Sequence, residues 1–393
     1  MSDFADAPAT AVLLGAGASV PAGVPDAHTM LDEMLTRDGL VGGFDQTSFR
    51  QVLSFVKHGL MFWEAANGRE PRSPDVEQVL NVIRTLADDL NDTEPFVAVW
   101  SAHLDRFRQA LIQTQGGWRQ RRVAEILTDL ASGKTPNQYE IDQLAKEITR
   151  STGTGQAGWF RKLDEEALIA VRTLAKPSEP VDYLYPLVRY RDHAGTPPSI
   201  ATLNYDLCVE QASQEVGVDV DSGMDAWRES EAVAFREGAV PLYKLHGSVD
   251  LAELSFRGQL SYPRWTEDTN LCSGGGYDWD RPALILGGSN KLRPAGPFLD
   301  LYVSFKRALQ GAQRLIVIGY SFRDEHVNHL VHRFLRRGEL IVIDLFPESI
   351  RDRVSLLNPY RGQPHYLLGG DVRGRLEQAL AGHLRAAEVF MGG

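Results

Sequence analysis

Cysteine is almost missing from this chain: Cys208 and Cys272 are the only two in 393 residues. Two thiols cannot build a disulfide framework or a four-cysteine zinc site. Long apolar runs are missing as well. No stretch approaches the roughly 18 apolar residues that a membrane span requires, and the first ten residues, MSDFADAPAT, have no apolar core of signal-peptide length. The expectation is a cytoplasmic protein with no membrane contact. An excess of positive charge is absent too, with 41 Lys and Arg against 52 Asp and Glu and a net charge of −11. The overall field disfavours direct nucleic-acid binding, and the basic group Arg333, Arg336 and Arg337 reads as a helix end offsetting the macrodipole. There is no internal repeat and no low-complexity tail.

What remains has ordinary globular proportions, 43% hydrophobic and 24% charged. The length exceeds one core and implies two domains, or one domain with a large insertion. Runs of aliphatic and β-branched residues recur at 11–15, 199–203, 240–245, 283–286, 314–319 and 339–345, and HYLLG precedes Gly370. Nearly continuous runs such as Leu315-Ile316-Val317-Ile318 suit central strands of a parallel sheet covered on both faces. The reading is an α/β protein, a Rossmann-like doubly wound parallel sheet of about six strands.

The first two strands are too far apart for one crossover. Between them, residues 73–91 read as a helix with Ser73 as N-cap, Pro74 at its first position, and Val76, Val79, Leu80, Ile83, Leu86 and Leu90 on one face. Further stripes lie at Trp100–Leu111, Val123–Leu130 and Tyr139–Ile148. The domains are therefore expected at 1–39 with 191–393 for the sheet, and at 40–190 for an all-helical insertion. STGTGQAG at 151–158 and SGGG at 273–276 read as surface loops or lids.

Chemistry-bearing residues stand at the ends of the strands. AVLLGAGASVPAGVPD (11–26) runs a strand into Gly15, Ala16, Gly17 and Ala18, where a bare backbone can approach a diphosphate and the amides opening the next helix can face the anion. Asn204 and Asp206 follow the strand SIATL, His246 and Gly247 follow VPLYKL, and Gly319 and Ser321 follow RLIVI. Asp344 closes its strand, and Asp371 follows HYLLG. A parallel α/β sheet gathers such groups into one crevice. A dehydrogenase fingerprint is disfavoured, because Val20 stands at the third glycine position and residues 28–37 read as helix, not as a strand ending in an acid. His326, His329 and His332 lack the acidic or cysteine partners of a tetrahedral set, so no metal is expected.

Taken in order, GAGAS with AGVPD, then TLNYD, LHG and GYS, these residues resemble the sirtuin-like NAD-consuming enzymes, in the branch of bacterial NAD glycohydrolases used in anti-phage defence. The resemblance implies that Gly15, Ala16, Gly17 and Ser19 cradle the NAD diphosphate and that Asp26 lies near the nicotinamide side. It implies Asn204 and Asp206 in the nicotinamide-ribose pocket, His246 as catalytic histidine, Gly319 and Ser321 on the far half of the dinucleotide, and Asp344 and Asp371 near the adenosine. The two Cys-x-x-Cys pairs of deacylating sirtuins are absent, and Asp344 stands where those enzymes typically have Asn. Hydrolysis of NAD itself is therefore the expected activity, with NAD as substrate and no metal.

An imidazole, with an ordinary pKa of about 6.5, suits proton transfer at neutral pH. Asn204 would hold water or a ribose hydroxyl in line. Asp206 either stabilises positive charge or caps its turn. Two other functions stay open: a non-catalytic sensor of NAD or ADP-ribose, and a zinc-free NAD-dependent deacylase. By resemblance the chain is expected to form a homo-oligomer and to work with a HerA-type ATPase or, alternatively, a short Argonaute protein.

Overall fold

The computed structural model describes residues 8–42, 46–87, 159–190, 196–254, 259–261, 281–286, 297–357, 365–370 and 372–381. The chain packs as two units, Met1–Asp26 with Leu174–Gly393, and Ala27–Thr173. The helix Ala27–Thr36 falls in the second unit, whereas the sequence boundary stood at residue 39.

The first unit carries ten strands: β1 (Thr10–Leu14), β2 (Ser199–Thr202), β3 (Val220–Asp221), β4 (Val240–Lys244), β5 (Gly247–Leu254), β6 (Gln259–Ser261), β7 (Arg281–Leu284), β8 (Arg314–Ile318), β9 (Glu339–Asp344) and β10 (His365–Gly369). Seven of them form one sheet in the order β10-β9-β8-β1-β2-β4-β3, and every pairing in it is parallel. The chain grows outward from β1 to one edge, returns beside β1 as β8, and grows to the other edge. The sheet is Rossmann-like, with its switch point between β1 and β8.

Strand alternation divides the core into two faces. Ala11, Leu13, Leu315, Val317, Leu340 and Val342 pack with Phe305, Val331, Phe334 and Val354 from the helices Phe298–Gly311, Glu325–Phe334 and Pro347–Leu357. Val12, Leu14, Ile316, Ile318, Ile341 and Ile343 pack with Leu187, Val209, Ala212, Leu376 and Ala379 on the opposite face. Burial on both faces is why these strands read as continuous apolar runs.

The expected parallel sheet of about six strands is there, with seven. One sequence expectation about the strands needs correction. The run at 283–286 does not join it: β7 pairs antiparallel with β5 in a separate three-stranded sheet of order β6-β5-β7. Pro282, with no N–H to donate, suits the edge of that small sheet.

The second unit is helical where it is described, with Ala27–Thr36, Gln46–Ala66, Val76–Ala87 and Trp159–Leu174. Met30, Leu31, Met34, Phe49, Val52, Leu53, Val79, Leu80, Ile83 and Leu163 are buried in it. The expected Ser73 cap is replaced. The helix begins at Val76, and Asp75 and Gln78 cap reciprocally, the Gln78 amide donating to Asp75 Oδ1 at 3.0 Å and the Asp75 amide to Gln78 Oε1 at 3.0 Å. A carboxylate that gains a return bond from the third helical residue is the stronger cap. The stripes at 100–148 and the loops at 151–158 and 273–276 lie outside the described residues. No helix among the described residues is long and apolar enough to cross a membrane.

Candidate active site

One row of paired residues crosses the sheet, with Leu14, Thr202, Lys244, Ile318, Ile343 and Leu368 side by side. Every sequence-nominated strand-end residue in the described part lies one to four positions beyond this row. Gly15 follows Leu14, Asn204 follows Thr202 by two, His246 follows Lys244 by two, and Gly319 and Asp344 follow Ile318 and Ile343 directly. The register alone brings them to the carboxyl edge.

The glycines after β1 serve a purpose the sequence did not show. A Cβ on Gly15 would lie 2.6 Å from the Gly319 carbonyl oxygen, and one on Gly17 would lie 2.8 Å from Gly319 Cα. Gly319 itself has φ 59, and a Cβ there would lie 2.3 Å from the Ala18 nitrogen. Missing side chains let the turns after β1 and β8 meet backbone to backbone, with Gly17 N–H donating to Gly319 O at 2.9 Å.

Beyond Gly15 the chain does not enter the expected helix. Two 3-10 turns, Ala16–Ala18 and Val20–Ala22, precede the helix at Ala27. Pro25 biases Val24 away from the α region and delays that helix. The amides of Gly15, Gly17, Ala18 and Ser19 donate to Ile318, Gly319, Gly15 and Ala16 oxygens. Ala16 and Val20 are the exposed positions of the turn, so an anion would meet those two rather than a row of helix amides.

Asn204 is buried and fastens β2 to this turn. Its Nδ2 donates to Gly15 O at 2.9 Å and to Ser19 Oγ at 2.8 Å, while its own amide donates to Thr202 Oγ1 at 3.0 Å. Because a carbonyl oxygen only accepts, the bond to Gly15 fixes which end of the amide is nitrogen. Ser19 is accordingly buried beneath the turn, not displayed on it. Asp206 accepts at Oδ1 from the Cys208 amide at 3.0 Å and so closes the turn that leads into the helix Cys208–Val216, whose N-cap position is Leu207. Its backbone oxygen accepts from Lys244 Nζ at 2.9 Å. Burial works against the Lys244 charge, but Glu210 and Asp250 outweigh it and its pKa ends raised. Burial, then Asp206, pushes the Cys208 thiol well up, which removes it as a nucleophile.

His246 stands where the chain leaves one sheet for the other. Leu245 N–H still bonds Thr202 O at 3.0 Å, Ile285 N–H bonds His246 O at 2.9 Å, and Gly247, at φ 87, turns the chain into β5. The side chain is 6% exposed. Its Nε2 lies 3.1 Å from Asp324 Oδ2, an ion-pair contact rather than a hydrogen bond, and its Nδ1 is buried with no hydrogen-bond partner among the described residues. A buried polar atom left without a hydrogen bond costs about 1–3 kcal/mol and calls for an explanation such as a catalytic role.

Asp324 is the residue that sequence reasoning missed. Its Oδ1 caps the helix Glu325–Phe334, accepting from His326 and Val327 amides at 2.9 and 3.1 Å. The cap was legible as an Asp before an apolar-periodic stretch; the reach to His246 was not. The approach to Asp324 is strained, since buried Phe322 has φ 54, a conformation costing roughly 1–3 kcal/mol. Asn328 Nδ2 holds Phe322 O at 3.0 Å, and the Tyr320 hydroxyl contacts Asp324 O at 3.0 Å and Asn328 Oδ1 at 2.9 Å.

The outer residues are more open. Ser321 is exposed, its carbonyl accepting from Arg353 at 2.7 Å. Asp26 is half-buried. Asp344 is half-buried, and burial raises its pKa against the opposing bond from the Phe346 amide. Asp371 lies outside the described residues. Among the described residues no group of three or more His, Cys, Asp or Glu forms a metal site.

Residues 198–354 match the family model of the SIR2-like domain. The SIR2-like segment contains Asn204, Asp206, His246, Gly319, Ser321, Asp324 and Asp344, and leaves the glycine turn outside. No curated protein matches the chain. Among solved structures, Sir2Tm bound to a propionylated peptide is 13% identical with a TM-score of 0.39, covering 96% of this chain and 94% of its own. A Sir2 complex with a peptide and NAD+ is 14% identical with a TM-score of 0.38, covering 96% and 95%. Values this low add nothing to the strand order, from which the fold is read.

Proposed function

We propose that this chain hydrolyses NAD to nicotinamide and ADP-ribose. The observation that carries the reading is the buried, unpartnered Nδ1 of His246 at the carboxyl edge, one strand from an Asn204 that is bonded to the glycine turn. The SIR2-like match over 198–354 supports it. NAD would lie across the carboxyl edge, with its diphosphate on the outer side of the glycine turn at Ala16 and Val20, beside Gly319 and Ser321, while Gly15, Gly17 and Ser19 shape the turn from beneath. Its adenosine would lie toward Asp344 and Asp371, and its nicotinamide ribose toward Asn204, His246 and Asp26.

The bond to nicotinamide breaks through an oxocarbenium-like state, and water adds to the anomeric carbon. Nicotinamide departs neutral, and the proton lost by water passes to His246 Nδ1 and on to solvent. Asn204 has spent both Nδ2 hydrogens on Gly15 and Ser19, so only its amide oxygen is left to accept from water or a ribose hydroxyl. Asp206, committed to the Cys208 amide, braces that turn. We further propose a cytoplasmic setting and a regulated effector role in anti-phage defence. Homo-oligomerisation and a HerA-type ATPase partner belong to the same proposal.

Chromatography of NAD incubated with the protein and an acetyl-lysine peptide tests the activity. Free ADP-ribose with untouched peptide is expected. Acetylated ADP-ribose would turn the assignment to a deacylase, and NAD bound but uncleaved, with or without the partner, would turn it to a sensor.

A further inference from the structure

The carboxylate of Asp324 faces two ways. One oxygen, Oδ1, is occupied by the His326 and Val327 amides at the start of a helix. The other, Oδ2, lies 3.1 Å from Nε2 of His246, a residue brought from beyond the end of β4. Both side chains are 6% exposed, so little water screens the contact.

A carboxylate only accepts hydrogen bonds. The 3.1 Å approach is an ion-pair contact, not a hydrogen bond, but a lone pair on Nε2 would oppose the carboxylate oxygen at that distance, while a hydrogen there is attracted to it. A neutral imidazole with its hydrogen on Nε2 has a lone pair on Nδ1. Nδ1 is the ring atom with no partner among the described residues. A side chain that merely filled the core would not need this orientation fixed from a strained turn. Here Phe322, at φ 54, is held in place by Asn328, and the Tyr320 hydroxyl holds the Asp324 backbone. The helix cap anchors one carboxylate oxygen while the other reaches the imidazole.

We propose that Asp324 is the positioning residue of the site, fixing His246 in its Nε2–H tautomer so that Nδ1 stands ready to take a proton from water or a ribose hydroxyl. The catalytic consequence rests on the NAD-hydrolase reading; the tautomer does not. The proton that Nδ1 gains leaves to solvent after nicotinamide has departed, so Asp324 is unchanged by the cycle. The Tyr320 and Tyr302 hydroxyls also lie by Asp324, and burial and then the carboxylate push their pKa values up. Both remain neutral donors in the working range.

The test is nitrogen NMR of the full-length protein with labelled histidine, paired with turnover of NAD by Asp324→Asn and Asp324→Glu. Asn keeps the helix cap but presents an amide that can donate to Nε2, and Glu keeps the charge. In the neutral form His246 is expected as the Nε2–H tautomer in the parent and as Nδ1–H in Asp324→Asn. The kcat of Asp324→Asn is expected to fall by roughly 10²-fold or more, with KM for NAD within about threefold, and Glu is expected to restore part of the rate. An Nδ1–H tautomer in the parent would overturn the proposal whatever the variants do, including their failure to fold. An undiminished kcat in a folded Asp324→Asn would overturn it as well. A parent that shows the Nε2–H tautomer but never cleaves NAD would defeat the hydrolase reading and leave the role of Asp324 intact.

Discussion

The turns after β2 and β8 are built alike and do different things. Each ends in a buried aspartate whose Oδ1 accepts from amides opening the next helix, Asp206 from Cys208 and Asp324, as N-cap, from His326 and Val327. The turn after β2 is tied to the glycine turn through Asn204, and its aspartate closes the turn. The turn after β8 is tied to the same glycine turn through Gly319, and its aspartate also reaches His246. A motif at a strand end therefore does not reveal which of its acids faces the chemistry; the second carboxylate oxygen decides.

Three substitutions sharpen that contrast. The largest effect belongs to Gly319→Ala. The new Cβ meets the Ala18 nitrogen and the Gly17 carbonyl carbon at 2.3 Å, in a backbone conformation that disfavours it. A loss of roughly 2–4 kcal/mol is expected in denaturant unfolding, and an unaltered midpoint would mean that the two turns are not locked together. Asp206→Ala removes the acceptor of the Cys208 amide that closes this turn and is expected to cost about 1 kcal/mol by the same measurement. A much larger loss would give Asp206 more than a turn-closing role.

The smallest effect is at Asp344, and its sign is informative. Burial raises its folded pKa above the unfolded value, so the stability of the parent declines as pH rises through the folded value. Asp344→Asn is therefore expected to melt higher than the parent at neutral pH, while the gap closes in acid below the ordinary carboxylate pKa of about 3.9. A variant that melts lower at neutral pH would contradict the assigned cause.

Much of this was legible in the chain. Strands buried on both faces announce themselves as unbroken aliphatic runs, and their shared register then places Asn204, His246, Gly319 and Asp344 at one edge. The helix at 28–37, which argued against a dehydrogenase, is present as Ala27–Thr36. The residues around 283 were less readable, because a short apolar run does not state which sheet it joins. The glycines after β1 suggested close approach to something, and sequence could not distinguish a diphosphate from the backbone of Gly319. The pairing of His246 with Asp324 was out of reach, since it depends on how β4 and the turn after β8 come together in three dimensions.

Nicotinamide release from NAD by the full chain and by His246→Ala, each alone and with the proposed ATPase partner, tests the central claim most directly. The account predicts release by the parent and a loss of roughly 10²–10⁴-fold in the variant, with the variant still folded. Release by His246→Ala at the parental rate would contradict it.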